Sequence, residues 1–188
     1  MMMCGGKRAS WPRQFESSFL HKPEPRVDGL RSTLIGHASF LVQVAGLNLL
    51  IDPVFAERAS PLSCAGPKRV NAPGIAMQDL PPIDAVLLTH NHYDHLDKTN
   101  LWKLEREHRP QFVTPLGVDE NLMRRKSQVR KVATLDWEQK FTLGNITIHA
   151  VATYHWSARS TGDRRTTLLC SFVITTPNGV IYHIGDTG

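Results

Sequence analysis

The sequence predicts an α/β fold of the layered α+β sandwich type, and two patterns in the chain predict it. Between residues 85 and 135, apolar runs and helical patterns alternate as strand, helix, strand, helix and strand, which is typical of the first half of a two-layered α/β sandwich. After residue 140, four short strand candidates follow one another, with turn sequences at 144–145 and 177–179. Separate layers of helices and strands are therefore expected.

The length and composition of the chain indicate one globular domain. Its 188 residues are 41% hydrophobic and 21% charged, which is ordinary for a soluble protein with a sizeable core. Residues 1–30 are predicted to form an N-terminal arm, because Pro12, Pro23 and Pro25 stand there among serine and charged residues. Residues 31–188 are predicted to form the domain.

Composition also limits where the protein works and what it binds. No apolar stretch approaches the roughly 20 residues needed to cross a bilayer, and no signal-peptide pattern follows Met1. The cysteines Cys4, Cys64 and Cys170 have neither disulfide-framework nor zinc-knuckle spacing, so a cytoplasmic location is expected. The net charge of +5 permits peripheral contact with a membrane, whereas nucleic acid is not the expected partner, because aromatic residues do not alternate with the basic ones. Nothing in the sequence indicates an oligomeric state.

A β-hairpin is predicted near the start of the domain. Phe40, Val42 and Val44 alternate with other residues, as on a strand with one buried face. Ala45-Gly46 supplies a turn, and the apolar run 47–51 returns along the first strand.

A long loop is predicted between Phe55 and Pro82, where proline and glycine recur without a sustained period. Loops of this length inside a compact domain are usually functional or mobile. We therefore expect the loop to form a wall of the substrate cleft, with Phe55, Leu62 and Ile75 available to contact an apolar part of the substrate. Leu62 and Ile75 could equally pin the loop to the core.

The remaining elements follow from local patterns. The alternating region gives a strand at 85–88, a helix from a cap at Asp97 or Thr99 to about His108, a strand at 112–114, a helix at 118–126 and a strand at 129–135. The later strand candidates are 141–143, 146–152, 168–175 and 180–184.

Four potential metal ligands, His90, His92, Asp94 and His95, lie within six residues directly after the strand at 85–88. On an extended chain, His90 and His92 project to the same side and can close on one ion. Asp94 and His95 would diverge from that pair in a tight turn and could serve a second ion nearby. Imidazole and carboxylate ligands without thiolate favour Zn²⁺, with Mn²⁺ or Fe²⁺ as alternatives.

This cluster and four flanking motifs resemble a known family. His-x-His-x-Asp-His at 90–95 is similar to the motif of the metallo-β-lactamase fold, whose members are mostly dinuclear metal hydrolases. The motifs at 34–40, 51–55, 155–159 and 185–188 resemble the branch that contains N-acyl-phosphatidylethanolamine phospholipase D, with the ascorbate-6-phosphate lactonase as a more distant cousin. The resemblance implies an αββα fold, of which this chain would hold the N-terminal portion and part of the second half.

Two departures from the family pattern affect what is expected. The chain has Leu168-Leu169-Cys170 where relatives have Leu-Trp-Gly, which could alter packing near the cleft. The remaining strands and helices of the fold, and a final histidine that binds the second metal, would lie beyond Gly188. An incomplete domain with an under-coordinated second ion is therefore expected.

The resemblance implies a role for each ligand of a two-zinc site. The implied metal ligands are His90, His92, Asp94, His95, His155 and Asp186. Of these, the histidines at 90, 92 and 155 would hold the first ion, while Asp94 and His95 contribute to the second and Asp186 bridges both. Asp94 and Asp186 are the expected catalytic carboxylates.

Three other polar residues in or near these motifs have two possible roles each. Asp52 is either a turn former or a carboxylate that orients a ligand imidazole. His37 is either a structural turn residue or a group near the site, and Arg159 would either bind a substrate phosphate as a planar fork or form an ordinary salt bridge. His149 and His183, which lie inside predicted strands, are expected to be core or surface residues and not ligands.

The expected function is that of a metal-dependent hydrolase. Two zinc ions would lower the pKa of a shared water so that it can attack at neutral pH. The resemblance favours a phosphodiester substrate, including a lipid-like one. The alternatives are a lactone or amide hydrolase at the same site, a ribonuclease, or an inactive truncated fragment.

Overall fold

A computed structural model describes residues 22–62, 64–123, 129–160 and 162–187. The first sheet contains β1 (Leu30–Gly36), β2 (Ser39–Val44), β3 (Leu47–Ile51), β4 (Ala85–Leu87), β5 (Gln111–Pro115) and β6 (Val132–Leu135). The second sheet contains β7 (Lys140–Leu143), β8 (Ile146–Val151), β9 (Ser171–Thr176) and β10 (Gly179–His183). The helices are α1 (Lys98–His108) and α2 (Val118–Met123), with a 3₁₀ turn at Met77–Asp79. None of the described helices has the length and apolar character that crossing a bilayer requires.

The first sheet places its strands in chain order from β1 to β6. The β1–β2 and β2–β3 pairs are antiparallel, and the three later pairs are parallel. Ala45 and Gly46 alone connect β2 to β3, with positive φ angles of 51° and 74°, as a two-residue turn that matches the twist of the strands requires. The predicted hairpin is confirmed.

Both faces of the first sheet are buried, because successive residues of a strand point to opposite faces. Leu50 and Phe112 pack on the helix side with Leu101 of α1. Leu49 packs on the other side with Phe172 of the second sheet. The layers are therefore helices, mixed sheet and antiparallel sheet, which confirms the predicted α/β class.

The outer face of the second sheet carries no helix from the described part of the chain. Val180 and Tyr182 of β10 are 64% and 56% exposed, whereas Ile181 between them packs against the core. The described residues thus provide the first three layers of the αββα arrangement.

Two predicted strands begin later in the structure than the local pattern indicates. β6 begins at Val132 instead of residue 129, and β9 begins at Ser171 instead of residue 168. The segment before β9 reaches back to the first sheet, because the Leu168 N–H donates to the Leu116 carbonyl and the Cys170 N–H donates to the Thr89 carbonyl. The part of the predicted helix at 118–126 that follows residue 123 lies outside the described residues.

The described part of the predicted arm, residues 22–29, contains no helix or strand but is attached to the β2–β3 hairpin. The buried side chains of Gln43 and Asn48 donate to the carbonyls of Glu24 and Pro25 at 2.8 and 2.9 Å. Residues 1–21 of the predicted arm lie outside the described residues. The boundary at residue 30 stays a prediction.

Candidate metal centre

The predicted ligands lie where strands of both sheets end. Asp52 follows β3 and His90 comes shortly after β4, and the two strands are parallel, so their carboxyl ends meet at one edge of the first sheet. The Asp52 N–H donates to the Leu87 carbonyl at 2.9 Å, which fixes this corner. His155 and Asp186 follow β8 and β10 of the second sheet. The site therefore lies across the open end of the sandwich.

Four predicted ligands form one group: His90, His92, His155 and Asp186, whose donor atoms all lie within 4.8 Å of one another. Nε2 of His90 lies 2.9 Å from Nδ1 of His92 and 4.0 Å from Oδ2 of Asp186. Nε2 of His155 lies 3.5 Å from the same carboxylate oxygen. Three imidazoles and one carboxylate oxygen around a point match the ligand types and number of a tetrahedral zinc site.

A second group contains His37, Asp94 and His95, and its donor atoms also lie within 4.8 Å of one another. Nε2 of His37 lies 3.2 Å from Oδ2 of Asp94, and the rings of His37 and His95 meet edge to face at 5.3 Å. Of the two sequence-based readings of His37, the position near the site is the one observed. The sequence does not reveal this placement, because the residue lies more than 50 positions before the other two.

Asp186 faces both groups. Its Oδ2 atom points to the first group, and its Oδ1 atom lies 3.2 Å from Nε2 of His95 in the second. A carboxylate in this position has one oxygen available for each of two neighbouring ions.

The buried carboxylate of Asp52 accepts hydrogen bonds that orient side chains of the site. Its Oδ1 accepts the Thr89 N–H at 2.8 Å, and its Oδ2 accepts the Thr89 hydroxyl at 2.6 Å and Nδ1–H of His95 at 2.8 Å. Burial alone would raise the pKa of this carboxyl, but its interactions with His183 and His95 outweigh burial and hold the pKa well below its usual range. Asp52 therefore stays ionised, and Nε2 of His95 is left free to face the second group.

Thr89 connects Asp52 to His90 of the first group through hydrogen bonds of its hydroxyl. Its hydroxyl proton is donated to Asp52, so its oxygen can only accept from Nδ1 of His90, 3.0 Å away. Nδ1 of His90 must then carry the proton, and Nε2 keeps its lone pair for a metal. Sequence reasoning missed this role of Thr89. The available signal was a hydroxyl residue directly before the first histidine of the cluster.

Burial keeps two imidazoles of the first group uncharged. Burial, followed by the nearby charge of His95, lowers the pKa of His90 from 6.5 to about 3. Burial, followed by His155, also lowers the pKa of His92. Both imidazoles are therefore unprotonated at pH 7, as metal ligands must be.

In the second group, the pKa of one histidine is raised instead of lowered. Burial would lower the pKa of His95, but the hydrogen bond to Asp52 and the charges of Asp186 and Asp94 raise it overall. The interaction with His37 is the largest cause of the lowered pKa of Asp94. A cation that enters this group lies beside the Asp94 carboxylate and competes with protons for His95, whose pKa is raised.

Arg159 forms hydrogen bonds with the loop that carries His90, His92, Asp94 and His95. Its Nη1 donates to the carbonyls of Asn91 and Leu96 at 2.9 and 2.7 Å, and its guanidinium lies 3.9 Å from the centre of the Tyr93 ring. Both predicted uses of Arg159, a fork on substrate phosphate and an ordinary salt bridge, stay predictions, because these hydrogen bonds involve only Nη1 of the guanidinium. Arg159 positions the loop that carries the ligands.

A cavity of about 660 Å³ opens beside the second group, lined by His37, Asp94 and residues of the long loop. Residues of the long loop line this cavity, and their role as a wall of the substrate cleft stays a prediction. The three apolar residues expected to contact substrate are not among the described lining. Ile75 is fully buried in the core on the helix side and Phe55 packs against that core, so both pin the loop. Leu62 is 57% exposed elsewhere on the loop.

The two strand histidines that were not expected to be ligands belong to neither group. Nε2 of His149 lies 3.2 Å from a carboxylate oxygen of the exposed Glu138. Nε2 of His183 lies 3.7 Å from Oδ2 of Asp52, and its ring meets Phe40 edge to face. His183 therefore packs behind the site.

The donor atoms fit metal ions. Nε2 of His95 and Nε2 of His155 are buried, and neither makes a hydrogen bond with another group of the described residues. A buried polar atom without a partner costs about 1–3 kcal/mol, which an ion would offset by accepting the lone pair. Two ions with nitrogen and oxygen ligands are thus compatible with the residues present.

Comparison with known proteins gives consistent results. The model of the family described as "Beta-lactamase superfamily domain" matches residues 47–188. An uncharacterised protein of Mycobacterium tuberculosis is 37% identical over 153 residues, which cover 81% of this chain and 41% of that protein. The N-acyl-phosphatidylethanolamine-hydrolysing phospholipase D 1 of Caenorhabditis elegans is 32% identical over 169 residues, which cover 85% of this chain and 47% of that protein. The chain thus spans less than half the length of either relative.

The fold also agrees with a solved structure. A metallo-hydrolase of the archaeon Ignicoccus hospitalis aligns with a TM-score of 0.60 at 20% identity, covering 85% of this chain and 61% of that one. The layers, the ligand groups at the strand ends and the family match lead to one assignment. The chain belongs to the beta-lactamase superfamily and has the metallo-β-lactamase fold.

Proposed function

We propose that this protein is a dinuclear zinc hydrolase that cleaves phosphodiesters, with a phospholipid-like diester as its preferred class of substrate. The observation that carries the proposal is the position of Asp186, whose two oxygens face two separate ligand groups. Two ions bridged in this way suit phosphodiester cleavage, because together they contact the attacking and the leaving oxygen. The likeness to the nematode phospholipase D supports the same substrate class.

Each ligand has a role in this proposal. His90, His92 and His155 would hold the first zinc, Asp94 and His95 would contribute to the second, and the Asp186 carboxylate would serve both. Bound zinc supplies Lewis-acid chemistry, which lowers the pKa of water and withdraws charge from the phosphoryl oxygens.

The residues around the ligands fix the geometry. Asp52 and Thr89 keep the protons of His90 and His95 on the nitrogens that face away from the ions. Arg159 holds the loop on which four of the ligands lie. These contacts therefore preorganise the site before a substrate binds. Preorganised polar groups contribute a large part of the transition-state stabilisation in enzymes.

The neighbouring cavity suits a substrate with both apolar and anionic parts. Leu34, Val54 and Val70 give it apolar surface. The same lining holds the cations of Arg69 and of Lys68, the latter paired with Glu57 at 2.7 Å. An amphiphilic phosphodiester would place its reacting group beside Asp94 and its apolar portion along the loop. The net charge of +5 is compatible with peripheral contact with an anionic membrane that holds such a substrate.

The proposal is tested with three model substrates and one ligand variant. Zinc-loaded protein should hydrolyse an aryl phosphodiester faster than a simple lactone or a penicillin. His92→Ala should lose at least about tenfold in zinc affinity, and its diesterase activity should fall with its zinc content. His149→Ala, which removes a histidine outside both groups, serves as the matched control.

Other results would favour the alternatives. A clear preference for the lactone would indicate a lactonase on the same site. Cleavage of RNA with binding that weakens steeply as salt increases would indicate a ribonuclease. Unchanged zinc content in His92→Ala would contradict the ligand assignment itself.

A further inference from the structure

Arg69 lies in the lining of the cavity beside the second ligand group. Two of its guanidinium nitrogens are used within the protein, since Nη2 donates to the Val54 carbonyl at 2.7 Å and Nε donates to the Ala56 carbonyl at 3.3 Å. Nη1 makes no hydrogen bond with any residue that the structure describes. Both hydrogens of Nη1 are therefore available to a ligand in the cavity.

The long loop and the β1–β2 turn fix the position of this nitrogen. The Arg69 N–H donates to the Glu57 carbonyl at 2.8 Å, which pairs two segments of the loop. A Cβ atom at Gly36 would lie 2.8 Å from Nη1, so a side chain there would displace the guanidinium. Gly36 directly precedes His37, whose Nε2 lies 3.2 Å from Oδ2 of Asp94. Nη1 is thus held against the turn that contacts a predicted metal ligand.

The positive charge of Arg69 is not balanced within the cavity. Lys68, the neighbouring cation of the lining, forms an ion pair with Glu57 at 2.7 Å. The carboxylate of Asp94 has His37 as its partner. Over the described ranges, no carboxylate forms an ion pair with the guanidinium of Arg69. An anion that enters the cavity therefore meets a cation without a competing partner.

The surroundings of Arg69 also penalise its charge. Burial is the largest cause of its lowered pKa, and the charge of Asp97 opposes burial only in part. A guanidinium nevertheless stays protonated at neutral pH, so the cost of burying the charge is present before a ligand binds. An anion would offset this cost, because hydrogen bonds between charged groups are roughly twice as strong as neutral ones.

We propose that Arg69 binds the negatively charged oxygen of the substrate and thereby makes the site discriminate anionic substrates from neutral ones. The inference rests on the proposed function, because a phosphodiester carries such an oxygen at neutral pH. Nη1 donates to a non-bridging oxygen of the diester, while Nε and Nη2 stay on the loop carbonyls. A role limited to support of the loop would use only Nε and Nη2, and would not require the glycine that leaves room for Nη1.

The test compares two unreactive phosphorus compounds that differ in charge. Dibutylphosphinate carries the charged oxygens of a phosphodiester, whereas tributylphosphine oxide is neutral. Neither is hydrolysed, because every carbon group is attached through a P–C bond. Arg69→Met removes the charge and the donors but keeps an extended side chain. Lys68→Met is the matched control, because it removes the neighbouring cation of the same lining.

Isothermal titration calorimetry on the zinc-loaded proteins measures both dissociation constants. Arg69→Met should weaken phosphinate binding by at least about tenfold, because a hydrogen bond between charged groups is lost. The same variant should weaken phosphine oxide binding by no more than about threefold, because a neutral acceptor gains less from the guanidinium. Lys68→Met should change either constant by no more than about twofold, because the exposed pair with Glu57 already satisfies its charge.

Elemental analysis and thermal unfolding show whether each variant is loaded with zinc and folded. If Arg69→Met does not fold, Arg69→Gln takes its place, because the glutamine amide keeps an N–H donor for the loop carbonyls without a charge. The same selective loss of phosphinate binding is expected.

Specific outcomes would overturn the inference. Equal losses for the two compounds would assign Arg69 to support of the loop alone. Absence of phosphinate binding to the unaltered protein would remove the anion site altogether. Diesterase activity together with unchanged phosphinate binding in the Arg69 variant would contradict this inference alone. Phosphinate binding that depends on Arg69, without any hydrolysis of aryl phosphodiesters, would contradict the proposed function alone.

Discussion

Asp52 has no exposed surface, yet its carboxylate contacts both Thr89 and His95. Its carboxylate orients His95 directly and His90 through the hydroxyl of Thr89. Because a histidine ligand needs its lone pair on the nitrogen that faces the ion, the arrangement of these protons sets metal affinity. The carboxylate therefore serves both ligand groups at once.

Asp52→Asn and Thr89→Val should have different effects on zinc binding. Asp52→Asn removes the negative charge and replaces one of the two accepting oxygens with an NH2 group, so the affinity for both ions should fall by about tenfold or more. Thr89→Val preserves shape but removes only the link to His90, so the first ion should be weakened and the second largely retained. Zinc titration against a chromophoric chelator measures both affinities.

Two controls accompany these variants. Thr89→Ser should restore binding, because it keeps the hydroxyl. Asp28→Asn, at an exposed position, should bind zinc normally. Equal losses at both ions in Thr89→Val would show that Thr89 acts through general packing and not through His90.

The sequence predicts individual residues well where their chemistry is local. The cluster from His90 to His95 is recognisable because four ligand types in six residues follow a strand. The connection between Asp52 and Thr89 is not recognisable, because it depends on β3 and β4 lying side by side. The part that His37 has in the second group likewise depends on the position of a turn in another strand pair.

The N-terminal end of α1 joins the helix to the wall of the cavity. Asp97 caps the helix by accepting the Asn100 N–H, and its other oxygen accepts the Ala56 N–H of the long loop at 2.9 Å. One side chain thus stabilises a helix end and the segment that lines the cavity.

Replacement of the cap should therefore affect both stability and substrate binding. Asp97→Ala should lower the free energy of unfolding by roughly 1–2 kcal/mol, because the cap is lost and the Ala56 N–H loses its partner. Urea denaturation measures this change, and KM for an aryl phosphodiester should rise as the loop becomes less ordered. Thr99→Ala, at the exposed alternative cap position, should change stability by no more than about 0.5 kcal/mol. Similar losses in both variants would contradict the assignment of the cap.

Elements with strong local signals are also the ones whose bounds the sequence predicts closely. The β2–β3 hairpin has a two-residue turn and α1 has a capping aspartate, so both are predicted within a residue or two. β9 is misjudged because Leu168–Cys170 are as apolar as a strand but form hydrogen bonds to Leu116 and Thr89. Tertiary contacts, which no local pattern contains, decide such boundaries.

The stability of the metal-free molecule depends on pH through two histidines of the site, His90 and His95. The pKa of His90 is lowered to about 3 by burial, so between pH 6.5 and about 3 the unfolded chain binds more protons at this residue than the folded chain. Stability must then fall as the pH decreases through this window. The pKa of His95 is raised, so its contribution is present below pH 6.5 and is lost as the pH rises through the raised value.

The metal-free protein should therefore be most stable near pH 6.5. Urea denaturation in the presence of a chelator at pH 5, 6.5 and 8 measures the profile. His90→Asn should show a weaker loss of stability at pH 5, because it removes the group that takes up the proton. A profile that is flat from pH 5 to 6.5 would contradict the burial of a neutral His90.

The ligands come from both sheets: His90 and His92 follow a strand of the mixed sheet, while His155 and Asp186 follow strands of the antiparallel sheet. An ion bound in either group would thus be a cross-link between two layers that are otherwise joined by side-chain packing. Free zinc at 100 times its dissociation constant would add about 2.7 kcal/mol to the free energy of unfolding. The lifetime of the folded chain in a cell would then vary with the amount of zinc available to it.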